Sequence, residues 1–414
     1  MKYHAPLLMV FCSVFTAHSF AAAMDQSGQS ILPFLENGHY FEASISAADP
    51  EVSGRTLDTR PDYVIPGVTD YSTDDIAQSF QYYSAALKLQ LTPLLSFGIL
   101  YDQPFGADIR YKVKENGSFS DPVISSEGTI ANVDTENLAM LFGIQPTRNL
   151  SLFAGPVYET VKGEVSLRGL VYLDFNGYDA QFSKDSSPGW LAGFAWQIPD
   201  IALKAAVTYR SEIKHELEAT ESIFGTPLVF TDESKTKITT PQSVNIDFQT
   251  GVAADTLLYS NIRWVNWKDF SIRPVQFGAM SEMATTLISG GLYTGGFNLD
   301  DYNKDQWSAT LGLARQWNRQ WATAIDAGWD SGTGEPASIL NPTKGYWSAG
   351  LSFQFNPEPS YFIAAGVKYY WLGDTESQDG TYYLPLPGAA ETARVGDFEN
   401  NNAIGYGLKI GYHF

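Results

Sequence analysis

The chain is poor in cysteine, histidine and basic residues and holds no long apolar run, and each shortage closes off a class of function. The single cysteine, Cys12, lies in an N-terminal apolar stretch expected to be removed. No small residues precede it, which argues against a lipoprotein, and a cysteine-free mature chain leaves the redox compartment open. Beyond the leader only His39, His215 and His413 remain. No G-x-S-x-G, H-E-x-x-H or metal-spaced cluster accompanies them, so neither catalysis nor a metal or cofactor is expected. No apolar segment of the mature chain approaches the ~18 residues a spanning helix needs. Lys and Arg number 26 against 46 Asp and Glu, and the leader contributes only Lys2 to this balance. Phosphate contacts need a basic face, so nucleic-acid binding is not expected.

What is present points to a membrane of another kind. Lys2 and His4 precede an apolar run over 5–15, and Ala21-Ala22-Ala23 offers a cleavage site. Residues 1–23 therefore read as a secretory signal peptide. Aromatics reach 14%, with 10 Trp and 23 Tyr, side chains that gather at membrane interfaces. In the last stretch, 403–414, Ile404, Tyr406, Leu408, Ile410, Tyr412 and Phe414 form one file. Gly405, Gly407, Lys409, Gly411 and His413 form the other. That alternation is a strand with one apolar face. Taken alone it reads rather as a core strand of a soluble β domain. In a barrel it would close the sheet against the first strand.

Taken in order, the alternation recurs about 14 times. Strands are expected at 39–47, 80–91 and 94–111, then 135–145, 150–161, 190–197 and 201–217. Others follow at 243–253, 257–268, 307–317, 321–330, 346–355, 361–372 and 403–414. Tight connections such as Thr92-Pro93 and Pro199-Asp200 alternate with long polar loops, among them 49–76, 112–127, 162–187 and 269–304. Strands near 9–11 residues, even in number and sorted by connection length, predict an all-β, transmembrane antiparallel β-barrel of the bacterial outer membrane. Both chain ends are expected on the short-turn, periplasmic side.

Several stretches carry a more specific resemblance. They are the 189–219 hairpin with its YRSE-K core, 241–271 with Trp264-x-x-Trp267, DPEVSG at 49–54, DTENLAMLFG at 134–143, and the 398–414 ending. Together they resemble the FadL family of outer-membrane long-chain fatty-acid and hydrocarbon transporters. The resemblance implies a monomeric, non-enzymatic barrel over 39–414. Its partners would be a hydrophobic small molecule and the surrounding outer-membrane lipid and lipopolysaccharide. The family's long hatch with its Asn-Pro-Ala triplet is absent, and only a short hatch-like segment at 24–38 precedes the barrel. The apolar loop MSEMATTLISGGLYTGGF (280–297) is the alternative plug, or equally an ordinary extracellular loop.

Candidate residues follow from chemistry and from that resemblance. Arg210 and Lys214 lie on a charged file with Lys204, Thr208, Glu212 and Glu216, which must face the lumen or the rim because lipid is costly for charge. Either could meet a carboxylate, though pairing with Glu212, Glu216 or Asp247 competes. Lys162 and Arg263 are weaker candidates of the same kind. The loop with Leu167, Leu170 and Phe175 and the next with Phe224 and Phe230 are apolar enough for a capture surface, or for a lid. Phe34 and Phe105 are further expected substrate contacts. Alternation fails around Pro104 and Gly106, which with Gly98 mark a possible lateral gate or merely the strand's rim. The rival reading is a non-specific diffusion porin or a structural barrel.

Overall fold

The computed structural model describes residues 24–57, 72–113, 120–121 and 127–414. The expected signal peptide lies outside them, as do parts of the first two long loops. Fourteen antiparallel strands close one sheet: β1 Tyr40–Glu51, β2 Phe80–Gln90, β3 in two pieces, Leu95–Asp102 and Gly106–Arg110, β4 Ile130–Ile144, β5 Leu150–Ser166 and β6 Tyr178–Ile198. They continue with β7, Leu203–Arg210 and Ile213–Ile223, and β8, Lys235–Thr240 and Ser243–Ala253. Then come β9 Thr256–Val265, β10 Gln306–Gln316, β11 Trp321–Asp330, β12 Lys344–Glu358, β13 Tyr361–Gly373 and β14 Asn402–His413. β14 pairs with β1 from Tyr40↔His413 to Glu51↔Asn402, so no edge is left open.

Outward positions between the rims are apolar and exposed, for instance Ile262, Leu311, Ile325, Leu351, Val367 and Leu408. Aromatic residues border this band. Trp307 pairs with Trp264 and Trp347 with both Trp329 and Trp371 on the long-loop side, and Trp321 with Phe355 on the short-turn side. That is the outer surface of a spanning barrel. Among the described residues no helix is long and apolar enough to cross a membrane. Over the mouth, short segments at Gly54–Thr56, Ala337–Ser338, Thr375–Gln378 and Arg394–Phe398 form a small separate sheet.

Three features differ from the expectation. The loop expected over 162–187 instead holds the end of β5, a 3-10 turn at Leu170–Phe175 and the first half of β6, whose polar residues and Pro188 hid it, and the next holds the end of β7 and the start of β8. The longest loop contains helix α1, Val275–Ile288. Thirdly, β6, β7 and β8 reverse their facing above a shared irregularity. In β7 Ala206, Thr208 and Arg210 are buried below the break, but Ile213, His215 and Leu217 above it. β8 switches likewise from Asn245 and Asp247 to Thr236, Ile238 and Thr240. Because both strands switch together, their register is unchanged across Arg210↔Ser243 and Ile213↔Thr240. His215 bridges the irregularity, 2.9 Å from Asp185 and 3.4 Å from Glu159.

Candidate functional site

The wall is interrupted beside β3. Its ladder with β2 runs from Gln90↔Ser96 to Ala85↔Tyr101 and stops. Farther up, the Gln78 and Arg110 N–H groups reach Asp108 and Ile76 carbonyls at 3.1 and 2.8 Å. Between these points a side chain replaces the ladder, the Tyr83 N–H donating to Gln103 Oε1 at 2.8 Å. On the other side β3 takes four steps from Asp102 to Gly106 where β4 takes three from Asn137 to Asp134. One extra residue, with a proline that has no N–H to give, displaces the strand from its neighbour.

The displaced backbone finds its partner in the N-terminal segment. The Gln26 N–H donates to the Pro104 carbonyl at 2.7 Å and the Gly106 N–H to the Met24 carbonyl at 2.8 Å. A Cβ on Gly106 would lie 2.6 Å from the Gln26 amide, so glycine lets the segment approach. The segment then threads the lumen. Arg263 binds Asp25 Oδ2 at 2.6 Å and Gln29 Oε1 at 3.0 Å, and Asn245 donates to the Gly28 carbonyl at 2.7 Å. Below, a short 3-10 turn, Leu32–Leu35, is wholly buried. Phe34 packs edge-on to Phe153, centroids 5.8 Å apart, and a Cβ on Gly98 would meet its ring at 2.5 Å. Lys88 donates to the Glu36 carbonyl at 2.7 Å, while Lys204 lies 3.4 Å from its carboxylate.

Above this plug the interior turns apolar. A small cavity of about 30 Å³ is bounded by Phe105, Phe182, Leu217, Ile238, Trp267 and Phe270. Trp267 is fully buried. It packs edge-on to Phe105 and Tyr302, each at 5.4 Å, and its Nε1 donates to Gln306 at 2.7 Å. Nearer the mouth lies a larger apolar cavity of about 330 Å³, bounded by Val171, Leu173, Phe175, Phe277, Ile288 and Leu340 among others. α1 covers it through Phe277, against Phe175 at 4.7 Å and Tyr178 at 5.2 Å. Beside it, burial raises the Asp300 carboxyl to about 7, against the Ser338 hydrogen bond and with Asp301 adding to the rise.

The expected site residues scatter. Arg210, Arg263, Phe34 and Phe105 are buried inside the barrel, with Arg263 committed to the N-terminal segment. Lys214 is not on the lumen file, because the reversal in β7 turns it outward, where it pairs with Glu212 at 3.3 Å. Lys162 also faces out, paired with Asp134 at 3.2 Å. Pro104 lies within the wall and not at its rim. Phe175 lines the large cavity, whereas Leu170, Phe224 and Phe230 are exposed. The two apolar loops therefore do not form the cavity between them; α1 and the later loops complete it. Trp267 was met only as part of a motif, and its burial had no signal in the local pattern.

No protein-family model matches the chain, and no curated protein is similar to it in sequence. Solved structures do match. A Pseudomonas aeruginosa FadL homologue superposes with a TM-score of 0.64 at 14% identity, over 92% of this chain and 91% of that one. The P. putida toluene transporter TodX gives 0.61 at 12% over 92% of each. The Ralstonia pickettii toluene transporter TbuX gives 0.53 at 12%, over 91% and 90%. The fold is that of the FadL-type outer-membrane barrels.

Proposed function

We propose that the protein takes up hydrophobic small molecules, long-chain fatty acids or related hydrocarbons, across the bacterial outer membrane without energy input. The observation that carries this reading is the interrupted β2–β3 ladder beside a filled lumen. A molecule captured in the apolar cavity under α1 passes to the chamber around Phe105. It leaves through the wall toward lipid, and so avoids the polar plug below. The named barrels of the same fold, toluene transporters among them, support this, as does an apolar cavity of drug-sized volume. Protein embedded as a monomer among lipid and lipopolysaccharide, exported by the leader, completes the reading.

The test is the double substitution Pro104→Val with Gly106→Val, in liposomes loaded through externally added toluene or oleate. A continuous ladder should cut uptake at least tenfold while the barrel keeps its heat-stable, compact migration. Unchanged uptake would refute exit at this break. A diffusion porin, the rival, would show steady ion conductance in a planar bilayer where this barrel should not.

A further inference from the structure

Below the break lies a second chamber of different chemistry. It measures about 60 Å³ and is bounded by Ser27, Ser44, Ser84, Asp102, Asn137 and Arg210, with Glu42 and Lys409 nearby. It reaches the wall where the β2–β3 ladder ends, since Ala85 and Tyr101, the last paired rung, also border it. It adjoins the apolar chamber as well. Thr135, which accepts the Phe105 N–H at 2.8 Å, and Asn137 are successive inward positions of β4, one in each chamber.

Two buried atoms here lack partners, the donor Arg210 Nη1 and the acceptor Asn137 Oδ1. Their residues are only 7% and 4% exposed. Buried polar atoms left unpaired are costly, and an orphaned donor and acceptor in one cavity define what would relieve them. A hydroxyl offers both functions; a carboxylate offers no donor for Asn137. A carboxylate would also meet Asp102 and Glu42. Lys409 is already 3.2 Å from Glu42, and Arg210 has Asp102, Asp247 and Asp25 among its charged neighbours. A pure hydrocarbon would leave both atoms unmet.

We propose that this chamber is a head-group site, and that the transported molecule carries an uncharged hydroxyl, as an alcohol or a phenol does. The hydroxyl sits with Arg210 and Asn137 while the apolar body lies toward Phe105. This narrows the uptake reading above and rests on it.

The experiment measures binding and uptake of decane, decanol and decanoate by the full barrel in liposomes. Decanol should be favoured over decane and over decanoate by roughly fivefold, the size of one net hydrogen bond. Asn137→Leu should bring the decanol-to-decane ratio to about one, and Asn137→Ser, which keeps a hydroxyl, should restore part of it. Heat-shifted migration on gels checks that each variant folds. Equal handling of decanol and decane by the parent protein, or a ratio untouched by Asn137→Leu, overturns the head-group site and leaves the uptake reading standing. A preference for decanoate overturns it in favour of a carboxylate site. Failure to take up any of the three refutes the uptake reading itself, and with it this proposal.

Discussion

Two residues show how burial decides behaviour in this molecule. Arg263 and Asp25 face each other with side chains only 3% and 5% exposed. Removing one partner strands the other's charge, at about 3–5 kcal/mol. Arg263→Leu should therefore loosen the N-terminal segment, seen as faster hydrogen exchange at the Gln26 and Gly106 amides. Adding Asp25→Ala should recover part of the protection, because the stranded carboxylate is gone. Asp300 supplies a pH response. Its folded pKa, about 7, is raised above the ordinary carboxylate value by burial. The fold thus favours the neutral acid. That stability is fully present below pH ~4 and is lost as pH rises through ~7. The Leu299 N–H, which donates to the Ile272 carbonyl at 2.9 Å, should have a smaller protection factor, its intrinsic base-catalysed exchange rate divided by the observed rate, at pH 8 than at pH 5. Asp300→Asn should flatten the difference, and an undiminished pH effect in that variant would assign it elsewhere.

At the scale of elements, what the sequence discloses depends on where an element lies. Strands β9 to β14 alternate because lipid lies outside and the lumen inside, so their positions were legible to within a few residues. The upper halves of β6 to β8 carry Lys184, Lys214, Glu216 and Lys237 outward. Their polar outer face and buried Ile213 and Leu217 reverse the sign of the pattern, and a two-residue break reverses its phase. Reading straight through that break placed Lys214 inside. For the N-terminal segment only a hatch-like place before the barrel was legible, and not its path, because it has no period of its own. Its shape comes from Pro104, Asn245 and Arg263, distant in sequence. The clue to that path was Arg263, a strand cation needing a partner. α1 likewise takes its place from Phe277, which touches Phe175 and Tyr178. Phe277→Ala should cost about 3–5 kcal/mol locally. It should open the large cavity to water and weaken capture at low substrate concentration. Normal capture, with α1 shown to be loosened by proteolysis, would remove the cavity from the route.

For the whole molecule the question is what keeps a barrel of this size closed. Strand side chains fill a barrel of about eight strands, whereas 16–18 leave an aqueous channel. Fourteen strands stand between these limits, and the interior here is divided among several devices. Ion pairs cross it, such as Lys368–Asp326 at 2.6 Å with side chains 4% and 2% exposed. The loops and α1 cover the mouth. Residues 24–37 occupy the centre and the short-turn half, with Ile31, Phe34 and Leu35 in one core cluster with Leu141, Phe153 and Leu191. Deleting residues 24–37 removes no rung of the fourteen-strand ladder, because β1 begins at Tyr40 and pairs on both sides. The deletion should therefore leave a folded barrel with a lower unfolding temperature, since the cluster loses Ile31, Leu32, Phe34 and Leu35, four of its fourteen members. It also removes the N-terminal partners of Arg263, Lys204 and Lys88 and opens the polar chamber toward the short-turn end. Planar bilayers should then show a steady conductance in the deleted form that is missing from the intact one. Passage of toluene should lose its dependence on the wall, so that Pro104→Val with Gly106→Val no longer blocks it. If the deleted barrel remains non-conducting while still folded, the strands and loops close the lumen by themselves, and the N-terminal segment serves only to hold the break in β3.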